Sequence, residues 1–179
     1  MENNSEPKFT IRTAVPGDAG GILAVYAPYI TGTCVTFETE VPPADVFAAR
    51  AADIMRNYPY FICQSDGEII GFAYASKKGE RAAYKYSADV SVYVAEKFHK
   101  QGIATKLYAA LFEEMTASGI FTAFAGIALP NENSVRLHEK FGFTRAGLFR
   151  NVGYKHGRWI DLLWMAKQLK HYDNPEGNI

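Results

Sequence analysis

The sequence is poor in cysteine, has no excess of either charge and contains no long apolar run. Cys34 and Cys63 are the only cysteines and form no CxxC pair, so we expect no disulfide framework and a reducing, cytoplasmic location. Nineteen basic residues balance 19 acidic ones, which argues against nucleic acid or an anionic membrane as a partner. No His, Cys and Asp cluster has metal-ligand spacing, so no metal is expected.

The hydrophobic pattern of the sequence predicts neither a leader peptide nor a membrane-spanning segment. Residues 1–10 are polar and lack the apolar centre of a signal peptide. The most apolar run, residues 120–129, is too short to span a bilayer. A chain of 179 residues without an interdomain linker predicts one domain, with a core over about residues 9–169 and a polar tail at 170–179.

Hydrophobic periodicity predicts an α/β protein with the element order β-α-α-β-β-β-α-β-α-β-β. An Asp-Gly turn at 66–67 predicts a hairpin, and Asp18 is the expected N-cap of the first helix. This order predicts a mixed sheet with helices packed on its faces. The predicted strands lie at residues 9–12, 60–63, 69–74, 88–94, 121–127, 143–149 and 159–166, and the helices at 18–29, 44–56, 103–115 and 134–141.

A strand, a short turn and a helix with a nearly bare first turn stand out between residues 91 and 115. The turn reads His99-Lys100-Gln101-Gly102-Ile103-Ala104. A helix N-terminus presents N–H groups without intrahelical partners and a partial positive charge. Because Gly102 and Ala104 leave that backbone accessible, the turn predicts a diphosphate site.

Several segments resemble the GNAT superfamily of N-acetyltransferases, in particular its phosphinothricin acetyltransferase branch. Residues 99–104 are similar to the acyl-CoA motif [RQ]-x-x-G-x-[GA], and residues 131–143 to N-x-x-S-x-x-L-H-E-x-x-G-[FY]. Residues 152–161 are similar to G-[FY]-K-H-G-x-W-x-D, and residues 81–84 to R-x-A-Y. The resemblance covers roughly residues 11–169 and implies the GNAT fold, with a mixed, mostly antiparallel sheet between helices.

The resemblance implies acetyl-CoA as acyl donor. Backbone N–H groups of the strand at 92–94 are the expected oxyanion donors. His99 departs from the family's Arg or Gln, and Asn131 and Ser134 either contact the cofactor or cap the following helix. The expected cofactor-binding residues are Val92, Tyr93, Val94, His99, Lys100, Gln101, Gly102, Ile103, Ala104, Thr105, Asn131 and Ser134.

Asp89 and His138 are the catalytic candidates. Asp89 stands where the branch has Glu and is the candidate base that removes a proton from the acceptor amine. It is alternatively a carboxylate that pairs with Arg81 or caps a loop. His138 occupies a position that holds a proton-donating Tyr in many relatives, and it is either an acid, a base or a structural histidine.

Arg81 is the expected anchor for an anionic group of the acceptor, because guanidinium binds carboxylate or phosphinate through two parallel hydrogen bonds. An ordinary loop cation is the alternative. Phe37, Tyr84 and Tyr93 either line the acceptor pocket or belong to the core. Gly79 occupies the place of a family lysine, which removes one expected substrate contact.

The predicted function is direct acetyl transfer from acetyl-CoA to the α-amine of phosphinothricin, methionine sulfoximine or a related small amino acid. Two alternatives remain: acetylation of another amine, such as a protein N-terminus or a polyamine, and a non-catalytic acyl-CoA-binding module. A homodimer is expected, with residues 152–159 as a candidate contact.

Overall fold

A computed structural model describes residues 9–175 of the chain, so the ends of the predicted polar start and tail lie outside the described residues. Its centre is one seven-stranded sheet. The strands are β1 (Thr10–Thr13), β2 (Tyr60–Ser65), β3 (Glu68–Lys77), β4 (Ser87–Val94), β5 (Thr122–Leu129), β6 (Thr144–Lys155) and β7 (Arg158–Gln168). The helices are α1 (Ala19–Gly32), α2 (Ala44–Asn57), α3 (Ile103–Ala117) and α4 (Glu132–Lys140).

The strands lie in the order β1-β2-β3-β4-β5-β7-β6. Only β4 and β5 pair in parallel, and every other neighbouring pair is antiparallel. The predicted mixed, mostly antiparallel sheet and the predicted element order are therefore confirmed.

Two hydrophobic clusters, one on each face of the sheet, hold the helices in place. One contains the fully buried Leu107, Leu111 and Met115 of α3 and reaches Val135 of α4. The other contains Ile22 and Ile30 of α1 with Phe47 and Ala51 of α2. Along β4, Ala88, Val90 and Val94 belong to the α3 cluster, whereas Tyr93 packs in the α1–α2 cluster. Alternation along a strand thus places Asp89 and Tyr93 on the α1–α2 face.

Two tight turns connect neighbouring strands, and one of them is the predicted Asp-Gly turn. Asp66 and Gly67 have φ angles of 51° and 82°, and His156 and Gly157 have φ angles of 50° and 74°. Positive φ at both central residues matches the twist of a two-residue hairpin. These two turns join β2 to β3 and β6 to β7.

Local contacts differ from the sequence expectation at several element ends. Asp18 does lie at the N-cap position of α1, but its carboxylate binds Arg12 and the Val15 N–H, each at 2.8 Å, so the predicted capping bond is wrong. The connection after β3 contains a turn of 3-10 helix at Ala82–Tyr86, and residues 35–37, between α1 and α2, form an irregular segment. Strand β6 extends six residues past the predicted end at 149, because pairing with β7 resumes at Gly153 after an irregularity that follows Phe149.

Candidate active site

Strands β4 and β5 separate after a short parallel ladder. The ladder has three pairs, Ser87–Thr122, Ala88–Ala123 and Asp89–Phe124, and the described residues form no further pair between these strands. From Val90 onward the backbone edges of the two strands therefore face an opening. Such edges can hydrogen-bond an extended ligand that carries amide groups.

The N-terminus of α3 lies at the mouth of this opening. Lys100 and Gly102 have φ angles of 63° and 78°, so the chain turns sharply before the helix. The first bond that closes the helix runs from Lys106 N–H to Gly102 C=O at 3.1 Å, and the N–H groups of residues 103–105 precede it. The geometry predicted for an anion site is present.

One cavity of about 490 Å³ joins the α3 N-terminus to the β4–β5 opening. Most predicted cofactor residues line it: Val92, Tyr93, Val94, His99, Lys100, Gly102, Ile103, Ala104, Thr105, Asn131 and Ser134. His138 also lines it. Gln101 does not, because its side-chain amide donates to the Lys97 carbonyl at 3.4 Å.

His99, the departure from the family motif, contacts protein groups at the end of β4. Its Nε2 lies 2.8 Å from the Val94 carbonyl and 2.9 Å from the Tyr29 hydroxyl. Tyr29 also donates to the Val94 carbonyl. The imidazole therefore ties the turn to β4 and α1, and the backbone of the α3 N-terminus remains accessible.

Helix α4 begins earlier than predicted. Asn131 Oδ1 accepts a hydrogen bond from Ser134 N–H at 3.2 Å, so Asn131 caps the helix and the helical residues start at Glu132. The expectation that Ser134 caps this helix is wrong for that reason. Ser134 instead lies in the first turn, where its carbonyl accepts from His138 Nδ1 at 2.7 Å.

His138 forms a buried hydrogen-bonded pair with Tyr108. Because a carbonyl only accepts, His138 Nδ1 carries the proton in its bond to Ser134, and Nε2 of the neutral ring accepts from the Tyr108 hydroxyl at 3.0 Å. Burial lowers the pKa of His138, which has 4% of its surface exposed. Burial raises the pKa of Tyr108. In this pair the hydroxyl of Tyr108, which also lines the cavity, is the group that holds a transferable proton.

Asp89 lies in the last pair before the opening, on the α1–α2 face. Its Oδ1 is 3.0 Å from Lys78 Nζ, so the alternative in which Asp89 pairs with Arg81 is wrong. The contact is an ion pair without hydrogen-bond alignment, and this buried oxygen has no hydrogen-bond partner among the described residues. Burial raises the pKa of Asp89, although the Lys78 ammonium opposes that shift. A partly desolvated carboxylate of this kind is a stronger proton acceptor than one in water.

Lys78 is held by aromatic rings as well as by Asp89. Its Nζ lies 3.6 Å from the ring centre of Trp164 and 4.8 Å from that of Phe124. The side chain is only 19% exposed. Such cation–π contacts fix the ammonium beside the carboxylate.

The predicted acceptor residues lie on different parts of the surface. Arg81 is exposed, and Tyr84 covers Gly79, where an added Cβ would approach the Tyr84 ring to 2.8 Å. Phe37, 40% exposed, packs on Gly153 of β6. Tyr93 packs edge-on against Tyr26 and Tyr29 in the aromatic cluster of the α1–α2 face. Of these four side chains, Tyr93 alone lines the 490 Å³ cavity.

Three polar residues at the site were missed by sequence reasoning. Tyr108 follows Leu107 on α3 and is fully buried, but nothing in the local sequence indicated that it meets His138. Tyr29 reaches Val94 across 65 residues of sequence, and Lys78 reaches Asp89 across the β3–β4 pair. Folding brings these groups together through contacts between helices and strands that are distant in the sequence.

Neither cysteine is placed for nucleophilic catalysis. Both are free thiols, and burial raises the pKa of Cys63 to about 11. Residues 9–175 contain no group of three or more His, Cys, Asp and Glu side chains of the kind that holds a metal ion. None of the helices among these residues combines the length and apolar character needed to cross a lipid bilayer.

Comparison with known proteins agrees with this geometry. Residues 11–164 match the family model described as acetyltransferase (GNAT) domain. A phosphinothricin N-acetyltransferase of Streptomyces viridochromogenes is 34% identical over 85% of this chain and 83% of its own length. An L-methionine sulfoximine/L-methionine sulfone acetyltransferase of Salmonella typhimurium is 30% identical over 93% of this chain and 98% of its own length.

A solved structure from Sinorhizobium meliloti extends the similarity to a cofactor complex. It is a GNAT superfamily phosphinothricin acetyltransferase in complex with acetyl-CoA, with a TM-score of 0.86 and 33% identity over 89% of this chain and 88% of that chain. The sheet that separates between β4 and β5, the open α3 N-terminus and the matched family model lead to one conclusion: the chain belongs to the GNAT family of acetyltransferases.

Proposed function

We propose that this protein transfers the acetyl group of acetyl-CoA directly to the α-amine of a small amino acid of the phosphinothricin and methionine sulfoximine type. The observation that carries the proposal is the position of Asp89. It lies in the last β4–β5 pair, so a carboxylate with a raised pKa borders the opening that suits the acyl donor. The names of the relatives supply the acceptor class.

The hydrogen-bond donors of the 490 Å³ cavity fit coenzyme A. The N–H groups of residues 103–105 suit its diphosphate, and the free backbone edges of β4 and β5 suit its amide-bearing arm. When bound, acetyl-CoA supplies an activated acetyl group as a thioester. Asn131 and Ser134 line the same cavity and complete the proposed binding surface.

Asp89 accepts the proton that an α-ammonium must lose before it can act as a nucleophile. An α-amine on a peptide titrates at about 7.7–8.0, so most acceptor molecules arrive protonated at neutral pH. Desolvation of Asp89 strengthens it as a base, while Lys78 keeps it ionised. A carboxylate beside the opening also attracts and orients the ammonium before the proton moves.

Tyr108 and His138 hold a proton on the other face of the opening. The neutral His138 accepts from Tyr108, and both side chains line the cavity. The proposed role of His138 is to hold the Tyr108 hydroxyl in place. The single hydroxyl proton, which His138 Nε2 accepts before the reaction, turns toward the sulfur as the thiolate departs. Thiols titrate near 8.5, so the thiolate needs only modest assistance.

A thiol-release assay tests the proposed function. The purified protein is incubated with acetyl-CoA and, in separate reactions, with methionine sulfoximine, phosphinothricin, the common amino acids, a polyamine and a short peptide. We expect release with one or both of the first two acceptors, and mass spectrometry should identify the N-acetyl product. Turnover confined to the polyamine or peptide would change the acceptor class, and cofactor binding without release for any amine would contradict catalysis.

We further propose a homodimer formed through β6 and β7. Their outer surface carries four large apolar side chains that are at least 49% exposed: Phe149, Val152, Tyr154 and Trp159. A cluster of this kind is typical of an interaction surface, and its place on a sheet edge lets the same strands of a second copy meet it. Light scattering should give twice the mass of the chain, and Trp159→Lys should reduce it to the monomer; a monomeric wild-type protein would refute the dimer.

The free thiols support a cytoplasmic location, which we include in the proposal. Cys34 and Cys63 remain unpaired, as expected where the environment is reducing. Cell fractionation followed by thiol labelling of the denatured protein tests this, with both cysteines expected to react. Recovery with the membrane or secreted fraction would contradict it.

A further inference from the structure

A cavity smaller than the proposed donor site lies on the α1–α2 face of the sheet. It has a volume of about 120 Å³, room for about four water-sized groups. Residues from α1, α2 and strands β2–β4 surround it, together with the connection between the two helices. The polar members of its lining are Tyr26, Glu38, Arg50, Tyr60, Tyr74, Ser76 and Tyr93.

This cavity adjoins Asp89. Ser76 is the cross-strand partner of Asp89, and Tyr74 is the partner of the next residue on that face, Ser91. The charges of Asp89, Glu38 and Arg50 all affect the pKa of Tyr74, so the three charged groups lie around the same hydroxyl. An amine bound at Asp89 can therefore direct the rest of its molecule into this space.

The charges of the lining are paired. Arg50 Nη1 lies 3.0 Å from Glu38 Oε1, and the guanidinium packs over the Phe47 ring at 5.3 Å. Glu38 also accepts from Tyr26 at 3.1 Å, which holds it in place. Burial raises the pKa of Tyr60 and Tyr74, so their hydroxyls stay neutral. The cavity thus offers hydroxyl groups and aromatic faces without a free charge.

We propose that this cavity receives the side chain of the acceptor amino acid, and that the Glu38–Arg50 ion pair selects neutral polar side chains over anionic ones. This inference rests on the proposed function and names the acceptor subclass. A sulfoximine or sulfone side chain is neutral and polar and suits the hydroxyl lining. The phosphinate of phosphinothricin is an anion, and it meets Glu38 beside an already neutralised Arg50. Both acceptors present the same α-amine to Asp89, so only the side chain distinguishes them.

The test compares kcat/KM for phosphinothricin with kcat/KM for methionine sulfoximine in matched charge variants. Glu38→Gln keeps an oxygen acceptor for Tyr26 and frees Arg50, so the ratio should rise about fivefold, the size of one partly exposed charge interaction. Arg50→Gln leaves Glu38 unpaired, so the ratio should fall by about the same factor.

Asp53→Asn is the control. Asp53 pairs with Arg56 on the same helix at 2.7 Å, and both side chains are more than 60% exposed. Its ratio should match that of the wild type, and acetyl-CoA binding should be unchanged in all three variants. Arg81 lies outside the cavity and contributes equally to every variant.

Opposite shifts in the two cavity variants, absent from the control, support the inference. Ratios that stay constant, or that move together with the control, overturn it while the proposed function stands. An enzyme that acetylates no amino acid at all overturns both.

Discussion

Replacing Asp89 by Asn should abolish most of the acetyl transfer and leave acetyl-CoA binding intact. The amide has the same shape as the carboxylate but cannot accept the proton of the acceptor ammonium. Asp89 does not line the 490 Å³ cavity, so the donor site keeps every group proposed to hold coenzyme A. The expected loss is therefore confined to kcat and to acceptor binding.

The size of the effect follows from the role of the carboxylate. A positioned general base contributes about 10²–10⁴-fold to the rate, so kcat/KM for the acceptor should fall by a factor in that range. Acetyl-CoA affinity should change by less than about twofold. The substitution removes one charge and leaves every side chain that lines the donor cavity in place. Asp89→Glu should retain substantial activity, since it restores the carboxylate of the family pattern.

Lys78 provides a second measurement on the same carboxylate. The Lys78 ammonium lowers the pKa of Asp89 against the larger effect of burial. Lys78→Met removes that cation, so the acidic limb of the kcat/KM profile should move to higher pH, while the fully ionised enzyme keeps its base. Thiol release over pH 5 to 9 and calorimetric titration of acetyl-CoA give the required values. Wild-type turnover in Asp89→Asn, or an acidic limb that does not move in Lys78→Met, would refute the role of Asp89.

Three further changes test the cofactor turn, the buried histidine and the core. Gly102→Ala forces a φ of +78° on a residue with a Cβ, which costs about 1–2 kcal/mol; the KM for acetyl-CoA should rise, and unchanged kinetics would contradict the proposed site. His138 has a lowered pKa in the folded state, so the unfolded chain binds its proton first and the free energy of unfolding falls as pH drops below about 6.5; His138→Gln should remove that part of the slope in urea titrations at pH 7 and 5. Leu111→Ala empties a fully buried position and should cost about 2–5 kcal/mol in the same titrations, whereas a loss below 1 kcal/mol would indicate that the site collapses around the change.

Features with a short-range cause could be predicted from the sequence. The α3 stripe of Leu107, Leu111 and Met115 repeats every four residues, so its burial follows from helix geometry alone. The Asp66-Gly67 turn requires positive φ at both residues, a conformation that Asp and Gly tolerate. At Gly102 a glycine that tolerates positive φ precedes the periodic apolar stripe of a helix, and the structure has the predicted helix N-terminus there.

Features that depend on two distant segments could not be predicted in this way. The sequence left two roles open for Asn131 and Ser134, contact with the cofactor or capping of α4, and the bond at 3.2 Å shows that Asn131 is the cap. Pairing with Arg81 was one alternative for Asp89, but β3 runs beside β4 and places Lys78, which follows β3 directly, at 3.0 Å from Asp89. In both cases the distance between two polar atoms in the folded chain identifies the partner, and the local sequence does not specify that distance.

Short stretches of consecutive residues were therefore enough to predict the order of elements, the diphosphate-type turn and the likeness to acetyltransferases. Local conformation and hydrophobic periodicity produce these features. The separation of β4 from β5, the Tyr108–His138 pair and the side-chain cavity at Glu38 and Arg50 exist only after folding. Each joins groups that are tens of residues apart, and strand register together with helix packing sets their distances. The diphosphate turn is a property of one continuous stretch of chain, whereas the rest of the donor site is assembled from β4, β5 and α4. The acceptor site is a property of the assembled sheet.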